Sequence, residues 1–169
     1  HFKQVNDIHG HSAGDAILID IKGILEKVFR ETDYLVRWGG EEFLVVARFT
    51  NRDSGEELAE RLRQAVESHQ FDIGDGTILA KTCSIGFAAF PLLSNNPNGM
   101  GWEQTIDIAD LCMYAAKKTS RNSWVGITQI NSDKAFLITP ILAEDDKLIE
   151  SGSITVLSSI KDPRSITWS

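Results

Sequence analysis

Cysteine is scarce: two residues, Cys83 and Cys112, in a chain of 169 cannot build a disulfide framework. Both sit among small and apolar neighbours, Thr82-Cys83-Ser84-Ile85-Gly86 and Leu111-Cys112-Met113-Tyr114. Such settings suit core thiols of a cytosolic protein better than a disulfide or half of a metal site. Long hydrophobic runs are missing too. None approaches the roughly 20 apolar residues of a membrane span, and no basic-then-apolar leader resembles a signal peptide. Positive charge is the minority sign, with 17 Lys and Arg against 24 Asp and Glu and a net charge of −7. That balance argues against a protein that coats a nucleic-acid polymer by counterion release. It leaves a nucleotide site open, because a small phosphorylated substrate needs only a few well-placed cations. An initiator Met is also lacking: His1-Phe2-Lys3 reads like the middle of a unit, so the chain is expected to be a fragment.

What is present suits one domain with a single core, since 42% hydrophobic and 24% charged residues are ordinary for a globular protein. A polar loop containing Gly10 and Gly14 is expected first. Ile17, Ile21, Ile24, Leu25 and Val28 then fall at helical spacing, with Asp15 near the start favouring the helix N-terminus. Tyr34 to Trp38 reads as a strand, Gly39-Gly40 as a tight hairpin turn, and Phe43 to Phe49 as the returning strand. Residues 55–68 predict an amphipathic helix with Leu58, Leu62, Ala65 and Val66 as its stripe. A long strand is expected over 77–90. A helix over about 103–118 is expected to bury Ile106, Ala109, Leu111, Met113 and Tyr114 in various degrees, with a strand over about 123–130 after it. Beyond it, the apolar runs Ala135–Leu142 and Ile154–Ile160 flank an acidic Glu144-Asp145-Asp146 break and suggest some strand character. The order of elements indicates an α+β sheet with helices packed against it.

The stretch richest in chemistry is Trp38-Gly39-Gly40-Glu41-Glu42-Phe43. Two carboxylates after a glycine turn sit where backbone can approach a ligand closely. Hard divalent cations prefer such oxygens together with substrate phosphates, and a cation there could assist phosphoryl transfer. A solvated acidic turn is the plainer alternative. Upstream, Asn6 and Asp15 place an amide and a carboxylate where they could read a guanine edge, or simply cap a loop and a helix. Lys117 and Arg121 lie at the end of the last core helix, where cations complement the helix dipole or grip phosphates.

Six segments, in order, resemble the GGDEF family of diguanylate cyclases in its GGEEF form. They are Phe2-Lys3-x-x-Asn6-Asp7, Gly10-His11-x-x-Gly14-Asp15, Arg37-x-Gly39-Gly40-Glu41-Glu42-Phe43, Ser84-Ile85-Gly86, Ala109-Asp110-x-x-Met113-Tyr114-x-Ala116-Lys117 and Arg121-Asn122. The resemblance covers residues 1–126 and leaves 127–169 as a C-terminal extension of unassigned role. It implies a five-stranded, mostly antiparallel sheet flanked by helices, similar to nucleotidyl cyclases and polymerase palms. It also implies condensation of two GTP into cyclic di-GMP in the cytoplasm by a homodimer, with no membrane contact from this segment. Asn6 and Asp15 would hold the guanine. Backbone N–H groups of the Phe2-Lys3 turn, with Gly39, Gly40, Lys117 and Arg121, would hold the rest of the substrate. Glu41 and Glu42 would serve Mg²⁺ or Mn²⁺, and Glu41 would also help deprotonate the ribose 3′-hydroxyl.

A product-inhibitory site is implied at Arg30-Glu31-Thr32-Asp33, the position of the family's RxxD motif, with Arg61 from the following helix. The alternative there is a surface ion pair of little energetic weight. Two departures from the family stand out. The strand that precedes Phe2-Lys3 and supplies a metal-binding Asp is absent, which leaves Glu41 and Glu42 a poor Mg²⁺ site and neighbouring strand edges open. Ser120 stands where the family usually has Gly, which is expected to perturb the turn presenting Arg121. The competing readings are therefore a cyclase, a catalytically inactive module that senses cyclic di-GMP, and a structural domain that binds no nucleotide.

Overall fold

Helix begins earlier than expected. In the computed structural model, which describes residues 1–74, 76–131, 149 and 151–168, α1 (Phe2–His9) and α2 (His11–Val28) follow one another, broken only at Gly10 with φ 84°. The stretch read as a polar loop, and the Phe2-Lys3 turn within it, are helical. Gly14 supplies the reason. A Cβ at this position would collide with the Asn6 side chain and approach Phe2 Cζ at 3.1 Å. Glycine here lets α1 lie against α2 and does not mark a loop. On α2 the expected stripe is in place, with Ile17, Ile24, Leu25 and Val28 buried.

The hairpin forms as expected from β1 (Tyr34–Gly39) and β2 (Glu42–Val46), with Arg37 opposite Phe43 and Gly39 opposite Glu42. Of the glycine pair only Gly40 takes positive φ, 49°. β2 stops short of Phe49 because the Arg48 N–H turns to Asp33 Oδ1 at 2.9 Å and Phe49 itself has φ 53°. Next come α3 (Gly55–Ser68), a second hairpin of β3 (Gln70–Asp72) and β4 (Ile78–Ala80), β5 (Ile85–Ala88), α4 (Trp102–Thr119), β6 (Trp124–Ile130) and β7 (Ile154–Ser158).

The long strand expected over 77–90 is two strands. β4 pairs back on β3, β5 runs parallel to β6, and residues 81–84 between them belong to neither ladder. The expected five-stranded sheet is likewise replaced, among the described residues, by three ladders: β1-β2, β3-β4 and β5-β6-β7. Each hairpin pairs only with its sequence neighbour, and the Lys81-Thr82-Cys83-Ser84 segment separates the β3-β4 ladder from β5. The α+β class with mostly antiparallel pairing holds.

The chain forms two compact units, His1–Thr50 with Gln64–Thr82, and Asn51–Arg63 with Cys83–Ser169, so α3 contributes to both. In the first, α1 lies on α2 and β3 lies along α2. In the second, α4 covers β5 and β6. The most deeply buried residues of α4 are Thr105, Ile108, Cys112, Ala115 and Ala116; Ile106, Ala109, Leu111 and Met113 are half-buried, and of the residues expected to be buried only Tyr114 is exposed. Gly86 lets the helix come close. A Cβ on it would collide with the backbone at Ala109 and Met113, so the helix backbone crosses β5 directly at this glycine.

The extension adds a strand, as the Ile154–Ile160 run suggested. β7 pairs antiparallel with β6, and Ile154, Ile166 and Trp168 are buried in one cluster with Cys112, Val125 and Ile127. The Ala135–Leu142 run and the acidic break fall outside the described residues. Both cysteines are free, Cys112 buried and Cys83 half-buried. No described helix is long and apolar enough to cross a membrane.

Candidate active site

The hairpin tip is latched from below. Arg37 donates from Nε and Nη2 to the Gly40 carbonyl at 3.1 and 2.8 Å, closing a fork onto the turn. Glu41 in the turn and Glu42 at the start of β2 are both exposed. Their oxygens suit Mg²⁺ or Mn²⁺ in donor type. Among the described residues no group of three or more His, Cys, Asp and Glu gathers that could hold a metal alone. Two carboxylates with phosphate and water oxygens are a minimal set for Mg²⁺, short of the Asp that the resemblance expects.

On α1 the Asn6 side chain presents a buried Oδ1 with no hydrogen-bond partner. A buried acceptor left unpaired costs about 1–3 kcal/mol, and this oxygen faces Gly14 in the seam between α1 and α2. Asp15, next to Gly14 in the first part of α2, is exposed. The expected phosphate-holding turn at Phe2 and Lys3 is the first turn of α1. No side chain caps it, and first-turn N–H groups have no acceptor within their own helix. The same residues thus offer donors by a different local structure.

In the second unit, Lys117 is half-buried in the last turn of α4, and Lys118 stacks its ammonium on Tyr114 at 5.3 Å from the ring centroid. Arg121 is exposed just beyond the helix. At Ser120, φ is −142°, and the left-handed backbone falls on Arg121 and Asn122, at 53° and 43°.

The Arg30–Asp33 segment is a closed turn. Asp33 accepts the Arg30 N–H on Oδ2 at 2.9 Å and the Arg48 N–H on Oδ1 at 2.9 Å, while its own N–H donates to the Arg30 carbonyl. Asp33 thereby ties the entry to β1 to the exit from β2, a role that sequence reading missed. Arg30 is exposed beside it; Arg61, also exposed, belongs to the second unit. Sequence reading missed Arg48 as well, whose guanidinium lies over the rings of Tyr34 and Phe49 at 5.2 and 4.9 Å. The Asn6, Asp15, Glu41 and Glu42 set lies in the first unit, and Lys117 and Arg121 lie in the second.

A family model for the diguanylate cyclase GGDEF domain matches residues 1–123. The chain is 41% identical over 122 residues to the diguanylate cyclase DgcP of Pseudomonas aeruginosa, an alignment covering 72% of this chain and 17% of that protein. It thus spans about a sixth of that relative's length. Among solved structures it is similar to the GGDEF domain of PA1120 (YfiN or TpbB) from Pseudomonas aeruginosa, with a TM-score of 0.62 at 29% identity, covering 72% of this chain and 73% of that one. It is also similar to the coiled coil and GGDEF domain of DgcB from Caulobacter crescentus in complex with c-di-GMP. There the TM-score is 0.59 at 25% identity, covering 72% of this chain and 62% of that one.

Proposed function

Because this chain belongs to the diguanylate cyclase GGDEF-domain family, we propose that it binds GTP and, paired with a second copy, joins two GTP into cyclic di-GMP with loss of two pyrophosphates. The observation that supports this reading is the match to the diguanylate cyclase GGDEF domain over residues 1–123, which spans Asn6, Asp15 and the Glu41-Glu42 pair. An amide on α1 and a carboxylate on α2 supply the kinds of group that a guanine edge needs. The Asp15 carboxylate accepts from the ring N–H and exocyclic amine, and the Asn6 amide offers both a donor and an acceptor. First-turn N–H groups at Phe2 and Lys3 complement the negative triphosphate. Lys117 as a point charge and Arg121 as a fork hold the phosphates, and Gly39 and Gly40 let backbone come close to the substrate.

Glu41 and Glu42 would hold Mg²⁺ or Mn²⁺, which when bound supplies neutralisation of phosphate charge. Glu41 also accepts the proton of the ribose 3′-hydroxyl as that oxygen attacks the α-phosphate of the partner's GTP, and pyrophosphate leaves. Most of the acceleration comes from holding the two substrates face to face and from charge fixed around the phosphates. Product returns to the exposed Arg30 with Asp33 and Arg61, where guanidinium groups meet guanine edges and phosphates and restrain turnover. Cytoplasmic placement follows from the need for GTP.

The test is turnover of GTP together with calorimetric binding of cyclic di-GMP in the full-length protein. Glu41→Gln and Glu42→Gln are each expected to abolish product formation and to leave cyclic di-GMP binding intact. Arg30→Ala should weaken that binding by roughly 1.5–3 kcal/mol, the scale of a hydrogen bond to a charged group. Unchanged turnover in both glutamate variants rejects the role of the hairpin tip, and equal affinity in Arg30→Ala rejects the product site. Cyclic di-GMP binding without any GTP turnover in the parent protein would move the assignment to a sensing module.

A further inference from the structure

Arg121 stands on backbone that its own side chain disfavours. It and Asn122 have φ 53° and 43°, a left-handed conformation that is costly for residues with a Cβ. Two such residues in succession set how the chain leaves α4. Backbone of this kind persists only where its surroundings over-determine it.

Part of the restraint is local, because the Arg121 N–H donates to the Ala116 carbonyl at 2.9 Å. The rest comes from α3. Arg63 Nη1 donates to Asn122 Oδ1 at 3.1 Å. Arg63 is itself gripped twice by Glu60, Nε to Oε2 at 3.0 Å and Nη2 to Oε1 at 2.8 Å. Trp124 Nε1 donates to the same Glu60 Oε2 at 2.9 Å. The Arg63 side chain is only 14% exposed, so this fork is largely out of water, where a bidentate pair keeps its geometry best. Asparagine tolerates left-handed backbone better than most residues, and its side chain serves here as the handle.

We infer that Arg63 is a positioning residue for Arg121: by holding Asn122 it keeps the left-handed turn that presents the Arg121 guanidinium to the substrate phosphates. The inference rests on the phosphate role proposed above for Arg121. An Arg63–Glu60 pair serving only as an ion pair within α3 would contribute little to stability and nothing to substrate affinity.

Steady-state kinetics with GTP in the full-length protein, with melting temperature recorded alongside, separates these roles. Arg63→Ala is expected to raise KM for GTP about tenfold. Arg63→Lys, which keeps the charge but loses the planar fork, should do nearly as much. Adding Asn122→Gly to Arg63→Ala recovers most of the loss, because glycine takes positive φ without being held. A merely structural Arg63 would lower the melting temperature without that recovery. If Arg63→Ala does not fold, Asn122→Ala removes the same hold from the other side and is expected to raise KM likewise. Arg121→Ala distinguishes the two levels. An unchanged KM in Arg121→Ala removes the phosphate role and the inference together. A raised KM there, with KM unchanged in Arg63→Ala or Asn122→Ala or with no recovery in the double variant, overturns the inference alone.

Discussion

At Asn6 a polar atom is buried without a partner, on a helix held against its neighbour by a glycine. A side chain placed there for stability would have its hydrogen bonds made in the folded chain, as buried polar groups nearly always do. Asn6→Ala is therefore expected to leave the melting temperature unchanged or raise it, since alanine is also the better helix former. The same variant should weaken GTP binding by about 1–3 kcal/mol. Thermal melting and GTP titration of one variant check both halves, and a loss of stability with unchanged GTP affinity would return Asn6 to a structural role. Asp33 carries a second role beside the one its motif marks: each carboxylate oxygen accepts a backbone N–H at 2.9 Å, which leaves further lone pairs for a ligand. Distance along the chain hides this, because Arg48 lies fifteen residues further on and its N–H becomes available only where β2 has ended.

Among the elements, α4 crosses β5 at Gly86, where its backbone at Ala109 and Met113 comes close, and its most deeply buried residues include Cys112, Ala115 and Ala116. Full burial pushes the Cys112 thiol well above its ordinary range, because the thiolate cannot be solvated there. In the unfolded chain the thiol titrates near its usual value of about 8.5, while in the folded chain it keeps its proton. Above that pH the unfolded state binds fewer protons than the folded state, so stability falls as pH rises, by up to roughly 1.4 kcal/mol per pH unit from this group. Below that pH the contribution is fully present. Urea midpoints measured from neutral pH to pH 10 should therefore fall more steeply for the parent than for Cys112→Ala. Equal slopes would place the thiol in contact with solvent.

For the second unit as a whole, the C-terminal segment is part of the core. Trp168 is 6% exposed and shares a cluster with Cys112, Val125 and Ile127, although the family match ends at residue 123. Hydrogen bonds to side chains help tie this segment to the end of α4 and the start of β6. The Thr167 N–H donates to Thr119 Oγ1 at 2.9 Å, and the Trp124 N–H donates to Ser159 Oγ at 2.9 Å. Trp168→Ala is expected to cost about 3–5 kcal/mol, as for a large side chain removed from a packed core. Chemical denaturation checks this. A cost below about 1 kcal/mol would be that of a surface substitution and would make the segment an appendage.

By itself the sequence determined the local elements whose signals lie within a few residues. The glycine-turned hairpin, the stripe of α2 and the extent of α3 follow from periodicity and from backbone freedom at single positions. It also determined the chemistry on offer: the paired glutamates, the amide and carboxylate near the start, and the cations after α4. Only the tertiary structure decided which strands pair, because a ladder depends on a partner distant in sequence. Only packing decided how closely α4 approaches the sheet, since that depends on the absence of a Cβ on Gly86 in a strand distant in sequence. The left-handed backbone at Arg121 and Asn122 was hidden for the same reason. Neither residue prefers it, and the hydrogen bond from Arg63 exists only once α3 and the end of α4 have come together.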